Sequence, residues 1–500
     1  MFITAFFIGE DMTMKETGKK SASIKIDLNK SIGNRNPMIF GQFLEHFHRQ
    51  IYSGIYEPGS HLADKKGFRK DVMEAMKKIN VPVIRWPGGC FVSAYHWMDG
   101  VGKERVPYWD KAWRVEESNE FGTDEFIEFC RDLGTEPYIC TNAGTGTSEE
   151  MSDWVEYCNL PKGGKFAKMR AENGHPEPYN VKYWSIGNEN YGDWEIGAKT
   201  ADDWSMFVKE SAKMMLRADW KIELSAASIS SEDWDTKLLT KNGQYLKWIS
   251  IHNYWIHGKQ PYETCIAKAE EIEPCITKVE DKLRNFGLID QIKIAFDEWN
   301  MRYWHHPSAL GTGPANVEER DENDDNSYYT MADAVFTARF LNICLRHCNT
   351  VGMTTFSPIV NTRGAIYTHK DGIVLRSTYH VFDLFTNHTS AEILDVDVHT
   401  PFFNVAGTDI PCLDIVATYN KDQERLDIII VNSHKVDSIE CEFNLSGIKH
   451  SDKSDLRIVN GESSDSYNDI NHPYDICVKC KIADTIGDKF TIAFQPHSVS

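Results

Sequence analysis

Eight short runs rich in β-branched and aromatic residues recur along the first 360 residues of this chain, most of them separated by stretches of helical periodicity. The runs are Met38–Phe43, Val81–Trp86, Glu136–Cys140, Lys182–Ile186, Lys221–Ala226, Trp248–Ile251, Ile292–Phe296 and Val351–Ile359. Helices are predicted at Phe68–Lys78, Asp124–Leu133, Pro261–Phe286 and Ser327–His347. Another is predicted after Thr200, a residue suited to cap it, because apolar side chains share one helical face there: Trp204, Phe207, Val208, Ala212 and Met215. Strands alternating with helices indicate parallel βαβ units, so we predict a closed (β/α)8 TIM barrel.

The pattern changes near Ala391, where short alternating runs follow one another without helical segments between them. They are Ile410–Tyr419, Leu426–Val431, Ile439–Leu445, Leu456–Val459, Tyr474–Ile482 and Phe490–Phe494. This pattern predicts a C-terminal antiparallel β-sandwich of jelly-roll type, which Ser23–Leu28 is expected to join because it alternates in the same way. The expected divisions are a flexible N-terminal segment (1–20), a strand joining the sandwich (21–36), the barrel (37–388) and the sandwich (389–500).

Charge and composition exclude several functions. The net charge of −20 argues against binding nucleic acid or an anionic membrane surface, and no basic patch offsets it. No apolar run approaches the ~20 residues that span a bilayer. The N-terminus lacks the basic region and cleavage site of a signal peptide, and the twelve cysteines show no framework spacing, so a cytoplasmic location is expected. The CxxC pair, Cys477 and Cys480, would lie on opposite faces of a strand, which argues against a metal or redox role.

Polar side chains stand at the end of seven of the eight predicted barrel strands. In strand order they are Glu45 and His46, Arg85, Asn142, Asn188 and Glu189, His252 and Tyr254, Asp297 and Glu298, and Asn361. The fifth strand ends only in Ser228 and Ser230. Because barrel active sites gather at the carboxyl ends of the strands, these residues are candidates for one site.

Two of the candidates, Glu189 and Glu298, would face each other across the barrel mouth from strands four and seven. Cleavage of a glycosidic bond needs such a pair, one protonated and one ionised, and two nearby carboxyls adopt these states because they cannot both ionise cheaply. Arg85 could keep one partner ionised. Tryptophans near the strand ends could stack on a sugar: Trp97, Trp113, Trp184 and Trp299. These residues alone do not determine which carboxyl is the acid, and a glutamate such as Glu45 could instead pair with a barrel arginine.

Other polar groups have simpler structural interpretations. Asp297 alternates with Glu298 and is expected to point away from the mouth. The pairs His46/His48 and His305/His306 each resemble half of a metal site but lack further ligands at suitable spacing, so no metal is predicted. Asn142 could open the glycine-rich loop 143–147 as a turn former, and that loop lacks a P-loop lysine. The acidic segment 318–326 is interpreted as a solvated loop that shapes access to the site.

Six segments together resemble glycoside hydrolase family 51, whose typical members are retaining α-L-arabinofuranosidases. They are GQFLEH (Gly41–His46), IYSGIYEPG (Ile51–Gly59), RWPGGCFVSAYHWMDGVG (Arg85–Gly102), GNE (Gly187–Glu189), SIHNY (Ser250–Tyr254) and DEWN (Asp297–Asn300). The resemblance runs in order from about Ile24 to the final PHSVS. It implies a (β/α)8 barrel followed by a jelly-roll-like domain.

The resemblance also assigns roles to the catalytic groups. Glu189 matches the general acid/base of the family, and Glu298 matches the nucleophile. Asn188 matches the asparagine that hydrogen-bonds the sugar 2-hydroxyl. Arg85 matches the arginine that orients the nucleophile, and Glu45 matches the glutamate that binds the furanose hydroxyls.

His252 and Tyr254 match the pair on strand six that contacts or tunes the nucleophile. At two positions the chain departs from many members. Cys90 stands where many have a sugar-binding asparagine, and Pro358 stands where some have a glutamine, which leaves Asn361 as a candidate ligand.

The function that the resemblance implies is a retaining, exo-acting α-L-arabinofuranosidase that needs no cofactor. Its expected partners are arabinofuranosyl-containing substrates, namely arabinan, arabinoxylan or derived oligosaccharides, and copies of itself in a homo-oligomer such as the hexamer common in the family. Two alternatives stay open. One is a related barrel glycosidase acting on a pyranoside or as an endo-glucanase, and the other is a catalytically silent carbohydrate-binding protein.

Overall fold

The computed structural model describes residues 20–255, 260–301, 317–446 and 451–500. The predicted flexible segment, apart from residue 20, and the His305/His306 pair lie outside these residues. No helix in the described ranges is long and apolar enough to cross a membrane.

A closed barrel of eight parallel strands forms the larger part of the described chain. In chain order the strands begin with β1 (Ser21–Asn34), β2 (Gly41–Phe43), β3 (Val83–Trp86), β4 (Tyr108–Asp110), β5 (Val115–Glu117), β6 (Glu136–Thr141), β7 (Tyr183–Ile186), β8 (Glu223–Ala227), β9 (Leu246–Tyr254), β10 (Lys293–Asn300) and β11 (Val351–Phe356). Around the barrel its strands run in the order β10-β11-β2-β3-β6-β7-β8-β9. The predicted barrel is confirmed, and each of the eight predicted runs overlaps one of its strands, although the first half of the run Met38–Phe43 lies in a 3-10 helix before β2.

Helices cover the outside of the barrel. They are α1 (Lys70–Lys78), α2 (Thr123–Leu133), α3 (Ser148–Asn159), α4 (Lys165–Glu172), α5 (Ala201–Ala218), α6 (Glu232–Asn242), α7 (Tyr262–Ala267), α8 (Ile272–Asn285), α9 (Met331–Arg346) and α10 (Ser377–His388). The Thr200 side chain accepts from the Asp203 N–H and caps α5, as its sequence predicts. The predicted helix Pro261–Phe286 is divided by a 3-10 turn between α7 and α8.

An antiparallel sheet follows the barrel, which confirms the predicted fold class. Its strand order is β21-β20-β23-β18-β17-β14-β1-β19-β22, and β1 pairs antiparallel with β14 but parallel with β19. The remaining strands, which include two small hairpins, are β12 (Ile366–His369), β13 (Gly372–Leu375), β14 (Glu392–His399), β15 (Phe402–Val405), β16 (Thr408–Pro411), β17 (Leu413–Asn420), β18 (Arg425–Asn432), β19 (Ile439–Ser446), β20 (Lys453–Val459), β21 (Val478–Asp484), β22 (Lys489–Phe494) and β23 (Ser498–Val499).

Helix α9 joins this sheet to the barrel wall that carries the site. Asp414 of β17 is buried and accepts hydrogen bonds from Arg346, at 2.9 and 3.1 Å, and from Asn342, at 2.8 Å. On the barrel side of α9, Phe340 stacks on Trp299 of β10 with a centroid distance of 3.6 Å. The sheet therefore supports β10 through one buried helix.

Candidate active site

Glu189 and Glu298 meet at the carboxyl ends of the barrel strands, with His252 between them. One carboxylate oxygen of each glutamate and one ring nitrogen of His252 all lie within 4.8 Å of one another. An upper limit of 4.8 Å is compatible with the ~5–5.5 Å between the carboxyls of retaining glycosidases and lies below the ~6.5–9.5 Å of inverting ones.

A bulge in β10 turns two consecutive carboxylates into the barrel. The register of β10 shifts against β9 between Ala295 and Glu298 and against β11 between Phe296 and Trp299. Glu298 consequently reaches Arg85, while Asp297 accepts hydrogen bonds at 2.6 Å from the hydroxyls of Tyr138 and Ser250. Because strict alternation fails at a bulge, Asp297 turns into the barrel interior beside His252, where it is fully buried and makes structural hydrogen bonds, as its interpretation predicts.

The carboxylate of Glu298 is held by two donors. Arg85 Nη1 donates to Oε1 at 2.6 Å, and the Tyr254 hydroxyl donates to Oε2 at 2.7 Å. Arg85 is fully buried, so this contact is not screened by water. Gly89 lies so close that a Cβ there would be 2.9 Å from Oε1. Two donors and the close backbone of Gly89 thus hold the Glu298 carboxylate in one orientation.

Glu189 follows β7 with a left-handed backbone (φ 44°), a strained conformation of the kind often found at functional sites. His252 Nδ1 lies 2.8 Å from its Oε1, and the indole N–H of Trp194 donates to its Oε2 at 2.8 Å. Trp194 is 45% exposed, so it offers a free aromatic face directly beside Glu189. Reasoning from the strand ends missed Trp194 because it lies five residues past Glu189.

His252 has carboxylates on both sides of its ring. Its Nε2 lies 3.2 Å from Asp297 Oδ1, and its Nδ1 faces Glu189 and, at 3.7 Å, Glu298 Oε1. Burial opposes protonation, but these carboxylates raise the pKa of His252 to about 10. The hydrogen bond from His252 in turn keeps the pKa of Glu189 below its ordinary value despite burial. His252 therefore carries a proton at neutral pH and contacts Glu189 directly.

Asn188 and Glu45 present polar groups beside this pair. Arg85 Nη2 donates to Asn188 Oδ1 at 2.8 Å, while Asn188 Nδ2 is buried and has no hydrogen-bond partner among the residues that the structure describes. Oε1 of Glu45 accepts from Trp113 Nε1 at 3.1 Å and from the backbone N–H of Phe91 at 3.1 Å. Burial, reinforced by the charge of Glu298, raises the pKa of Glu45 to about 8.

The last two predicted ligands differ in their surroundings. Cys90 Sγ lies within 4.8 Å of carboxylate oxygens of both Glu189 and Glu195, at the edge of the site. Asn361 is buried, and its amide donates to the Arg49 carbonyl at 2.6 Å and accepts from the Thr368 N–H at 2.8 Å. The structure brings Cys90 close to Glu189, whereas these contacts tie Asn361 to the surrounding loops.

Most of the predicted tryptophan platforms belong to the core. Trp97, Trp184 and Trp299 are almost completely buried, and Trp113 alone of the predicted four contacts a site residue. The described part of the chain therefore has two tryptophans that hydrogen-bond a site carboxylate, Trp113 and Trp194.

His46 and Asn142 have structural roles. The Trp86 indole donates to His46 Nε2 at 3.1 Å, which leaves Nδ1 to donate to Glu117 Oε2 at 3.1 Å. Asn142 Oδ1 accepts from three successive N–H groups of the loop 143–147, as expected of a turn former.

The acidic segment 318–326 is not simply a solvated loop, contrary to the prediction. Its residues Arg320 and Asp324 are buried. Arg320 donates to the Trp113 carbonyl at 2.6 Å, and Asp324 accepts from the Thr362 N–H at 2.7 Å. The segment therefore braces the wall that carries Trp113.

Two groups of side chains in the described ranges could converge on a metal ion: Glu189, His252 and Glu298, and Cys90, Glu189 and Glu195. In the first group the atoms already hydrogen-bond one another, since His252 Nδ1 contacts Glu189. The geometry provides one carboxylate held by two donors, Glu298, and a second carboxylate, Glu189, that is hydrogen-bonded to the proton-bearing His252, which is what acid-assisted nucleophilic substitution requires.

Two family models match the chain: an α-L-arabinofuranosidase 1 domain over residues 75–264 and an α-L-arabinofuranosidase C-terminal domain over residues 297–498. Among curated proteins, the chain is 36% identical to α-L-arabinofuranosidase C of Emericella nidulans, with 86% of this chain and 88% of the relative covered. It is 31% identical to an intracellular exo-α-(1→5)-L-arabinofuranosidase of Halalkalibacterium halodurans, with 85% and 87% covered. Among solved structures, the arabinose complex of an α-L-arabinofuranosidase from Thermotoga maritima superposes with a TM-score of 0.86 at 34% identity, over 96% of this chain and 98% of that one.

Proposed function

Because this chain belongs to the α-L-arabinofuranosidase family, glycoside hydrolase family 51, we propose that it is a retaining, exo-acting α-L-arabinofuranosidase. It releases terminal non-reducing α-L-arabinofuranosyl residues from arabinan, arabinoxylan or derived oligosaccharides. The observation that carries the proposal is the approach of Glu189 and Glu298 oxygens to within 4.8 Å around His252.

In the first step, Glu298 attacks the anomeric carbon. A bond forms between a carboxylate oxygen and that carbon while the glycosidic C–O bond breaks, and Glu189 gives its proton to the departing oxygen. Arg85 and Tyr254 orient Glu298 through their hydrogen bonds to its two carboxylate oxygens. Glu189 obtains its proton from His252 along their 2.8 Å hydrogen bond, which leaves the imidazole neutral.

In the second step, the ester has removed the charge of Glu298, and Glu189 acts as a base. It takes a proton from water as the water oxygen attacks the anomeric carbon and the bond to Glu298 breaks. The proton returns to the pair that Glu189 forms with His252. Two inversions give net retention.

The remaining site residues recognise the sugar. Asn188 has a buried amide N–H without a protein partner in the described ranges, which suits donation to a furanose hydroxyl. We assign Glu45 and Cys90 to the same sugar, and the exposed face of Trp194 to the leaving group. The bonds that Asn361 already makes argue for support of the loop rather than direct contact.

Hydrolysis of aryl glycosides tests the substrate class. The panel contains the α-L-arabinofuranoside, β-D-xylopyranoside, β-D-glucopyranoside and β-D-galactofuranoside of one phenol. We expect strong preference for the arabinofuranoside and its loss in Glu298→Ala. Preference for a pyranoside would support the related-glycosidase alternative, and binding without turnover of any of them would support a silent carbohydrate-binding protein.

We further infer that the enzyme works in the cytoplasm as a homo-oligomer, with a hexamer as the first state to test by light scattering. The H. halodurans relative is named as intracellular, which supports the location. We also retain the domain limits 21–36, 37–388 and 389–500. The pairing of β1 with β14 and β19 supports the first of them.

A further inference from the structure

A second buried carboxyl, that of Glu195, lies beside Glu189. It is 4% exposed, and one of its oxygens lies within 4.8 Å of a Glu189 carboxylate oxygen and of Cys90 Sγ. The Ser93 hydroxyl donates to Glu195 Oε1 at 2.5 Å. Its Oε2 is buried and has no hydrogen-bond partner within the described parts of the chain. The two-step mechanism gives this carboxyl no role.

The loop after β7 fixes the two glutamates relative to each other. The Gly192 N–H donates to the Glu189 carbonyl at 2.7 Å, and the Glu195 N–H donates to the Gly192 carbonyl at 2.9 Å. These consecutive turns leave Trp194 exposed and direct Glu195 inward. A Cβ at Gly192 would lie 2.4 Å from the Trp194 ring, so the turn requires glycine.

Two carboxyls this close and this buried cannot both ionise cheaply, so they titrate as a pair. Burial and the charge of Glu189 raise the pKa of Glu195 to about 8. On the opposite side, His252 keeps the pKa of Glu189 low. Near neutral pH the two glutamates therefore hold one proton between them.

The other ionisable groups that face Glu195 do not neutralise its charge. Glu298 of β10 also raises its pKa, and Glu195 in turn raises that of Glu45 after β2. The Cys90 thiol and the Tyr191 phenol have pKa values well above their ordinary values because of burial, so both are uncharged at neutral pH.

We propose that Glu195 is a positioning residue whose negative charge, present at alkaline pH, holds on the Glu189–His252 pair the proton that the first step uses. The inference rests on the proposed role of Glu189. When Glu195 ionises, its nearby negative charge disfavours loss of the proton that His252 and Glu189 hold along their 2.8 Å hydrogen bond. Without that charge, the pair loses its proton at lower pH.

The test is the pH dependence of kcat/KM for Glu195→Gln with two substrates. Phenyl α-L-arabinofuranoside has a poor leaving group that needs a proton, whereas the 2,4-dinitrophenyl compound does not. For the phenyl substrate we expect the alkaline limb to move down by at least about one pH unit, which is the size expected for two charges at this separation. For the dinitrophenyl substrate, the alkaline limb of kcat/KM should stay at the pH of the wild-type enzyme.

A matched control is Asp235→Asn. Asp235 is also buried, accepts a hydrogen bond from a serine, Ser228, at 2.6 Å, and has an Oδ2 without a partner in the described ranges. Asp235 is not among the groups that lie within 4.8 Å of the Glu189 carboxylate in the sets described above. We expect this variant to keep both wild-type profiles.

An unchanged alkaline limb in folded Glu195→Gln, or an equal shift in Asp235→Asn, would overturn the inference. If the glutamine variant does not fold, Ser93→Ala replaces it. Loss of the hydroxyl destabilises ionised Glu195 and so reduces its negative charge at alkaline pH. The limb for the phenyl substrate should therefore move to lower pH, and a limb that stays or rises would refute the inference. Wild type that fails to hydrolyse either arabinofuranoside would overturn the proposed function together with this inference, whereas an active wild type isolates the role of Glu195.

Discussion

Replacing Glu189 by glutamine removes proton transfer while keeping the size of the side chain. Glu189 accepts from Trp194 and contacts His252 through different oxygens, and glutamine offers only one acceptor oxygen. One of the two N–H groups therefore loses its partner, at a stability cost of about 1–3 kcal/mol. The fold has enough other contacts to tolerate this cost, so kinetics should report the chemistry.

The expected kinetic loss depends on the leaving group. General acid catalysis contributes about 10²–10⁴-fold, so kcat/KM for phenyl α-L-arabinofuranoside should fall by this factor, or about 3–5 kcal/mol in activation free energy. The dinitrophenolate leaves without a proton, so kcat/KM for that substrate should stay within about tenfold of wild type. Its kcat should fall strongly, because the base for the second step is also lost.

Stopped-flow absorbance measures both effects. With the dinitrophenyl substrate we expect a burst of about one phenolate per active site followed by slow turnover. The control Glu298→Gln should lose activity on both substrates and show no burst. An equal loss of kcat/KM on the two substrates in Glu189→Gln would refute the assignment of Glu189 as the acid.

Three further predictions follow from the contacts of the site and of its support. Tyr254→Phe removes a hydrogen bond to the Glu298 carboxylate, worth about 1.5–3 kcal/mol, so kcat/KM should fall by about 10–150-fold; an unchanged kcat/KM contradicts the contact. The pKa of His252 is raised to about 10 in the folded protein, so its contribution to stability is complete below about pH 6.5 and is lost as the pH rises through 10. The free energy of unfolding, measured with urea at pH 6.5, 8 and 10, should fall over this range, and it should fall less in His252→Gln. An equal fall in the two proteins would refute the protonated state of His252 in the folded protein. Asp414→Ala leaves Arg346 without its carboxylate and should lower the free energy of unfolding by about 3 kcal/mol, whereas a change below about 1 kcal/mol would show that this ion pair does not join the sheet to the barrel.

The fold could be predicted because the spacing of hydrophobic residues indicates the strands and helices of the barrel and of the sheet. Each barrel strand is a short buried run. In α5 the capping residue Thr200 marks the start of the helix, and the spacing of Trp204 and Met215 indicates its buried face. The limits of elements were less predictable. Met38 belongs to a 3-10 turn before β2, since Pro37 and the Asn36 cap favour a turn there.

The site was predictable where function follows directly from a strand end and unpredictable elsewhere. Glu189, Glu298, Arg85 and His252 converge because parallel strands end at one face of the barrel. The orientation of Asp297 depends on a bulge, which alternation does not reveal.

The residues beyond the strand ends carried too little signal. Glu195 and Trp194 reach the site through turns of the loop after β7, and their spacing from Glu189 predicts neither orientation. The acidic segment contains Arg320 and Asp324, whose burial depends on contacts with distant residues such as Trp113 and Thr362. The composition of the segment 318–326 indicated only that it carries many charged side chains, not that two of them are buried.

The stereochemistry of the first-formed product tests the central claim most directly. Wild-type enzyme and an aryl α-L-arabinofuranoside are mixed in buffer containing methanol, which traps the sugar as a methyl furanoside before it can change its anomeric form, and the product is followed by proton NMR. Two displacements through an ester on Glu298 give methyl α-L-arabinofuranoside, which is the product that we expect. Exclusive formation of the β-anomer would show a single displacement and would contradict the proposed roles of Glu189 and Glu298.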